Sequence, residues 1–378
     1  MPASLQVVMP IALAAPPSPT PVAPPPTRLW TPKRVLVTRS AAERPHGQRI
    51  LARLETAGVQ DVELLAGDRL PNLRGDGDRA AFMRAKDTMA VVVGAPSKRK
   101  LQPIPPSADW RFDLAEGCPA HCQYCYLAGS LSGPPITRVF ADLDEVLSGL
   151  DGYVGRGSVT SGTLERGGEG TTFEASCYTD PLAIEHLTGG LAAAITHVGT
   201  HDWAGPVQLR ATTKFDDVAD LLTLPHGGRT RLRFSVNAAT VARRFEGGTS
   251  PVAGRLAALG AVAAAGYPVG VTIAPIIPVD GWREEYADLL DGVREAAGDA
   301  DLTVECITHR FTPGSKATLL DWYPRTKLEM DEANRTAKRG RFGAVKHVYP
   351  RETMAQLRGW FERAVAERLP GARLLYWT

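Results

Sequence analysis

The chain contains no apolar run approaching the roughly 18 residues that a membrane-spanning helix needs, so no membrane partner is expected. Cysteine is scarce. There are five in 378 residues, three of them within one short stretch, which excludes a disulfide framework. A secretory leader is also not expected. Val7 to Ala15 is apolar and Leu13-Ala-Ala15 ends it with small residues, but no Lys or Arg precedes it and Pro10 interrupts it. A cytoplasmic protein is therefore expected. Residues 1–28, Pro-rich from Ala15 to Thr27, read as a disordered, extended tail, and a misplaced start codon gives the same composition. Strong net charge is absent too, at +2 overall, but its distribution is uneven. From Cys306 to Thr378 there are 14 Lys/Arg and 7 Asp/Glu, a net of +7, which leaves −5 for the rest. A basic C-terminal segment suits a polyanionic partner, and equally a solvated helix face rich in Arg.

What is present is ordinary for a globular domain: 44% hydrophobic and 22% charged residues. The length allows one barrel-sized domain with additions. Residues 29–105 read as a small α/β segment: strands at Arg34 to Thr38, Asp61 to Leu65 and Ala90 to Val93, with helical periodicity from Glu43 to Ala57 and Ala80 to Lys86. Pro103, Pro105 and Pro106 mark a boundary. Residues 106–312 then alternate strand and helix. Six strands are expected, at Trp110 to Leu114, Thr172 to Cys177, Val207 to Thr212, Arg231 to Val236, Val269 to Ala274 and Leu302 to Thr308. Ile136 to Phe140 stands apart from the series as a short strand. Helices are expected from Leu143, through Leu187 to His197, and at Asp216 to Leu222, Val252 to Ala265 and Glu284 to Ala297. Gly155 to Gly170 reads as a mobile loop.

Repeated β-α units make a parallel sheet with outer helices, and six of them predict an α/β fold of the partial (β/α)6 barrel type. Such barrels carry their sites at the C-terminal strand ends. Cys118, Cys177, Thr212, Ser235, Pro275 and His309 all fall at or just beyond such ends. Residues 313–378 read as a helical and strand extension. Helices are expected at Asp331 to Arg339 and Glu352 to Leu369, around basic Arg341 to Arg351, with a final strand at Ala372 to Trp377.

The chain is organised around Cys118-Pro-Ala-His-Cys122-Gln-Tyr-Cys125, spaced C-x3-C-x2-C. Thiolates are soft ligands for iron–sulfur clusters, zinc or copper(I). Three of them can hold three corners of a [4Fe–4S] cube and leave the fourth iron open to a substrate. The competing reading is a zinc knuckle. Structural zinc normally takes two Cys/His pairs, whereas Cys177 and Cys306 stand alone and His121 sits inside a loop too short to turn it onto the same metal. Cys177 is by itself an ordinary candidate for a small buried hydrophobe. Beside a radical source its weak S–H bond would make it a hydrogen-atom donor.

The motif resembles the radical S-adenosylmethionine (SAM) superfamily signature C-x3-C-x-aromatic-C, with Tyr124 at the aromatic position. The resemblance narrows to the spore photoproduct lyase family through Cys177-Tyr-Thr-Asp180, where the family has Cys-Thr-Ser-Asp, and Ile184-Glu-His-Leu-Thr188. Cys125-Tyr-Leu127, Thr213-Lys-Phe215, Phe234-Ser-Val-Asn237, Ala274-Pro-Ile-Ile-Pro278 and His309-Arg-Phe-Thr312 match in the same order. So do Trp322-Tyr-Pro324, Leu328-Glu-Met-Asp331 and Arg341-Phe-Gly-Ala-Val-Lys346. The match runs from about Trp110 to Tyr349.

The resemblance implies a radical SAM barrel and repair of the ultraviolet lesion in which two thymines are joined through a methylene bridge. It implies a [4Fe–4S] cluster on Cys118, Cys122 and Cys125, with SAM on its open iron, cleaved to a 5′-deoxyadenosyl radical. It implies that Cys177 quenches a thymine methyl radical and that Tyr124 and Tyr126 relay the radical back, although both tyrosines also read as packing residues. Thr179, Lys214 and Ser235 match SAM-contacting positions, with Ala274 and Pro275 lining the adenine pocket through backbone groups. Hydrogen bonding at strand ends is the plainer reading of Thr179 and Ser235, and Asp180 reads equally as a helix cap.

Ultraviolet-damaged DNA is the implied partner, with a flavodoxin- or ferredoxin-type electron donor. Arg310, Lys316, Lys346 and Arg351 are the candidate phosphate contacts. Tyr349 and Trp322 are candidates to support an extruded base, or core residues. Tyr178 adds bulk where the family has Thr, which bears on the substrate. Two other readings stand beside repair. One is a related radical SAM enzyme on another nucleic-acid or small substrate. The other is a non-catalytic iron–sulfur or zinc nucleic-acid-binding protein.

Overall fold

Val35, Leu36 and Val37 are wholly buried, as a parallel strand covered on both faces requires. They form β1 (Arg34–Val37), which pairs in parallel with β2 (Val62–Leu64) and β3 (Thr88–Val92). Helices Pro45–Thr56 and Arg79–Lys86 precede β2 and β3. The computed structural model describes residues 29–71, 79–131, 135–339 and 345–378. The Pro-rich tail and the Arg341 end of the basic stretch lie outside the described residues.

The larger sheet begins with β4 (Gln102–Ile104), antiparallel to β5 (Ala108–Phe112). Two short strands follow, β6 (Ala115–Glu116) and β7 (His121–Cys122). The next strand, β8 (Thr137–Phe140), pairs with β3, giving the first sheet the order β2-β1-β3-β8-β6. The series continues with β9 (Thr171–Ala175), β10 (Val207–Thr213) and β11 (Thr230–Val236). A two-residue strand, β12 (Glu246–Gly247), lies antiparallel to β7. Then come β13 (Val269–Ile276), β14 (Leu302–Thr308), the hairpin strands β15 (Thr336–Arg339) and β16 (Val345–Val348), and β17 (Arg373–Trp377). The order β17-β14-β13-β11-β10-β9-β5-β4 contains the six expected parallel strands, with one more at each edge. The result is a curled, eight-stranded half-barrel.

Each inner strand alternates apolar residues, which bury against the helices, with polar residues that face the concave side. Leu209 and Ala211 alternate with Arg210, and Leu232 and Phe234 alternate with Arg231 and Arg233. On the concave face Arg233 bonds both Glu174 and Glu305, and Arg210 reaches Glu305 at 2.5 Å. Tyr376 and Thr272 also donate to Glu305, at 2.9 and 3.2 Å. Burial alone raises the Glu305 carboxyl, but Arg233 and Arg210 outweigh it and hold the group down at about 2.

Several expectations need correction. Asp331 to Arg339 is a 3-10 turn (Glu332–Asn334) followed by β15, not a helix. Local helix propensity loses to tertiary bonds there, because Arg335 is buried against Glu329 and His309 while Thr336–Arg339 pairs with Val345–Val348. Asp216 to Leu222 holds only the 3-10 turn Ala219–Leu221, since Asp216 instead accepts from Ser250 at 2.7 Å. The helix Pro313–Trp322 was not expected. It carries a Thr312/Ser315 capping box and Pro at its first position. The sheets also interleave across the cuts anticipated at 105/106 and 312/313, because β4, β8 and β17 each pair across one of them.

Gly155 to Gly170, expected to be mobile, is pinned. The buried Asp109 carboxylate accepts from the backbone of Val159 (2.7 Å), Thr160 (2.9 Å) and Thr172 (3.1 Å), and from the Thr160 hydroxyl. Burial pushes this carboxyl up, but those bonds, led by the Thr160 side chain, hold it below its usual range. A depressed carboxyl contributes stability above its unfolded pKa of about 3.9 and loses it as pH falls through the lower folded value. Asp109→Ala should therefore cost about 1–3 kcal/mol of unfolding free energy at neutral pH. In urea titrations the deficit should shrink as pH falls below the unfolded value of about 3.9, and a deficit that grows on acidification would contradict this account.

Candidate active site

The cysteine loop leaves the C-terminal end of β5 through Gly117, whose φ of +82° and close approach to the Ile136 carbonyl admit only glycine. β5 pairs with β9 in the register Phe112↔Ala175, so the segment carrying Cys177 starts beside the loop. Gly117 N–H donates to the Tyr178 carbonyl at 2.9 Å, and Leu114 N–H to Ser176 Oγ at 2.8 Å. Ser176 has φ +61°, the one non-glycine positive value among the described residues. Such a conformation costs energy and persists where its surroundings enforce it. It turns the chain out of β9 into Cys177.

Cys118, Cys122 and Cys125 line one cavity together with Lys86, Leu127, Trp322 and Tyr323. All five cysteines are free. Among the described residues no three His, Cys, Asp or Glu side chains converge as a single ion requires. Three cysteines lining one space suit an iron–sulfur cluster with one open iron, whereas a structural zinc takes four ligands. Burial raises all three thiols, Cys118 to about 12, and Lys86 pulls against it at Cys118 and Cys125. His121 is lowered to about 4 by burial and then Lys86, so it is neutral near pH 7.

The proposed SAM-binding positions converge at adjacent strand ends. Lys214 Nζ donates to the Ala274 carbonyl at 3.2 Å, and Ser235 Oγ to the same oxygen at 3.5 Å. Ala274–Pro275 is a cis peptide. Asn237, in the matched Phe234–Asn237 segment, donates to the Pro275 carbonyl at 2.8 Å. Asp180 accepts from Lys214 N–H and Thr213 Oγ1, both at 2.7 Å, and more weakly from Ala183 N–H. It ties the segment that follows β9 to the end of β10. Thr179 Oγ1 is buried with no hydrogen-bond partner. A buried hydroxyl without a partner is costly, and a bound ligand would supply one.

The two tyrosines diverge. Tyr126 OH donates to the Cys177 carbonyl. Tyr124 OH donates to Glu246, which also holds Lys214 at 2.9 Å and Arg255 at 2.6 Å. Glu246 had no sequence signal, because its role comes from the β7–β12 pairing opposite Cys122. Arg111 was also missed. Its guanidinium lies 4.4 Å from the Tyr178 ring and acts on the Cys177 thiol. Burial, then Glu174 and Asp113, push that thiol to about 12 against Arg111.

The DNA candidates all follow β14, from Arg310 just beyond its C-terminal end to Arg351 at the start of the last helix. Arg310, Lys346 and Arg351 are exposed, and Lys316 is half-buried and ion-paired with Glu332 at 3.2 Å. Lys346 sits opposite Lys338 in the β15–β16 hairpin, next to exposed Arg339. Trp322 stacks on Phe82 at 4.9 Å and Tyr349 is buried under Arg335 at 3.9 Å, so both are packing residues here.

Comparison with known proteins agrees with this geometry. Residues 30–378 match the family described as spore photoproduct lyase. Spore photoproduct lyase of Bacillus subtilis (strain 168) is 37% identical over 352 residues, covering 92% of this chain and 99% of that protein. The Clostridium acetobutylicum protein of the same name is 30% identical over 329 residues, covering 87% and 94%. A solved variant of spore photoproduct lyase with bound AdoMet and dinucleoside spore photoproduct is 35% identical, with a TM-score of 0.83, covering 93% of this chain and all of that one. A second structure, complexed with dinucleoside spore photoproduct, gives the same TM-score and coverage.

If the three thiols hold one cluster, anaerobically reconstituted protein should bind about four irons per chain. The Cys118→Ala/Cys122→Ala/Cys125→Ala variant should bind almost none. Full iron retention in that variant would reassign the site.

Proposed function

The chain belongs to the spore photoproduct lyase family, and from that premise we infer that it is a radical SAM lyase that returns the methylene-bridged thymine dimer in DNA to two thymines. The observation that carries the residue assignment is the β5–β9 pairing, which sets Cys177 beside the three-cysteine loop. Cys118, Cys122 and Cys125 would hold a [4Fe–4S] cluster. Lys214, Thr179, Ser235 and the backbone of Ala274 and Pro275 would hold SAM. Cluster and SAM, when bound, supply a 5′-deoxyadenosyl radical that takes a hydrogen atom from the lesion.

The chain's own residues then control the radical. Cys177 gives a hydrogen atom from Sγ to the thymine methyl carbon: the S–H bond breaks, a C–H bond forms, and sulfur is left one electron short. That donor must be a thiol. Burial, with Glu174 and Asp113, pushes the Cys177 thiol up to about 12, the opposite of the tuning a nucleophilic cysteine needs. Tyr126, bonded to the Cys177 carbonyl, is the candidate to return a hydrogen atom to sulfur, and that bond supports the assignment. Tyr124, on the Lys214–Glu246 side, is the candidate for the second transfer. Arg111, packed on Tyr178, shapes the pocket wall next to the thiol.

Ultraviolet-damaged DNA is the substrate in this reading. Arg310, Lys346 and Arg351, with Lys338 and Arg339, present exposed cations to phosphates. Lys316 contributes less, because Glu332 already occupies it. A flavodoxin- or ferredoxin-type electron donor and a cytoplasmic setting belong to the same proposal. No described helix is long and apolar enough to cross a membrane.

Two measurements test these assignments. Cys177→Ala should still cleave SAM and abstract hydrogen from the lesion, because neither step uses the thiol. The thymine methyl radical should then be trapped by the reductant present, and mass analysis should find adducts in place of clean thymine. Unmodified thymine as sole product at near wild-type yield would remove Cys177 from its role. For DNA, each lost phosphate contact should reduce the log–log salt slope by roughly one. Arg310→Ala/Lys346→Ala/Arg351→Ala should flatten it by up to about three, and an unchanged slope would refute this surface.

A further inference from the structure

Lys86 closes the helix Arg79–Lys86 of the first α/β unit, yet its ammonium ends in the cysteine loop. Nζ donates to the carbonyl oxygens of Cys118 and Ala120. The side chain is buried, at 6% exposure, and both these partners are neutral. Lysine is normally kept out of such surroundings unless paired, because an isolated buried charge is expensive. The helix is anchored there by Phe82, which stacks on Trp322 and meets Tyr323 and His121 edge-on. The other cavity walls are the three cysteines and apolar or aromatic residues, so Lys86 is the one charged side chain lining it among the described residues. Of the charged groups nearby, Lys214 and Arg255 are both engaged by Glu246. Asp180 is satisfied by Thr213 and the Lys214 backbone. Asp87 is paired with Lys33 at 2.6 Å.

We propose that Lys86 is a positioning residue for the cysteine loop whose fixed charge also favours the reduced state of the cluster held there. Two N–H···O bonds fix the Cys118–Ala120 backbone. One-electron reduction adds negative charge to a site of low dielectric, where a nearby cation is worth far more than in water. The inference rests on the cluster assignment above. It also gives the first α/β unit a role in the chemistry of the barrel.

The test uses the full chain, reconstituted anaerobically, as wild type, Lys86→Met and Lys86→Arg. Iron is counted per chain, and the cluster midpoint potential is measured by titration followed by electron paramagnetic resonance. Melting of the apo chains checks that each variant folds. Lys86→Met keeps the aliphatic stem and removes the charge. It should lower the reduced-to-oxidised ratio at fixed solution potential about tenfold, a negative shift of roughly 59 mV for a one-electron couple. Lys86→Arg should stay close to wild type. Iron loss in Lys86→Met alone, with Lys86→Arg loaded, also supports the proposal, because only the charged donor then sustains the loop. An unchanged potential in Lys86→Met overturns it, as does an equal change in both variants. Wild type without four irons would mean that the cluster assignment itself had failed, and this inference with it.

Discussion

The structure depends on one guanidinium. Arg233 projects from β11 into the concave side of the half-barrel and is held by Glu174 on β9 and Glu305 on β14. Three strands are thereby tied through their interior faces, across β10 and β13 that lie between them. Burial works against the charge on Arg233, but the two carboxylates more than compensate and raise its pKa. Replacing such a cluster with apolar residues is often neutral, whereas removing one partner leaves an uncompensated buried charge. The clamp therefore contributes geometry more than net stability. Glu174 lies three residues before Cys177 and Arg233 two before Ser235, so fixing the interior ends of these strands fixes where the site residues emerge.

The six parallel strands were legible because buried strands carry dense apolar runs and their helices carry the longer period. Their charged interior positions were not, because Arg210, Arg231 and Arg233 lie in one strand pair where either face could have been solvent. The three-cysteine loop was legible from spacing. The neighbourhood of Cys177 was legible only once β5 and β9 were taken as adjacent. Glu246, Lys86 and Arg111 were invisible for a common reason. Each acts through a contact distant in sequence, at a place no local pattern marks. The Asp331 to Arg339 segment failed in the opposite direction. Its residues favour helix locally, and the buried Arg335 with its Glu329 and His309 bonds overrides them.

Burial serves two opposite ends in this site. At Cys177 it pushes the thiol up, the direction that suits the proposed hydrogen-atom donor. At Cys118, Cys122 and Cys125 the same desolvation opposes thiolate formation, which metal binding demands. A cation opposes burial at each of these cysteines. Lys86 and Lys214 act on the cluster cysteines, Lys86 on Cys118 and Cys125 and Lys214 on Cys122 and Cys125. Cys177 meets Arg111, but Glu174 and Asp113 act more strongly and in the opposite sense. Burial thus raises all four thiols, and what differs between them is which fixed neighbours add to it or oppose it. The proposed metal ligands and the proposed hydrogen donor therefore start from the same protonated state, and only the first three would have to lose their protons when a metal binds.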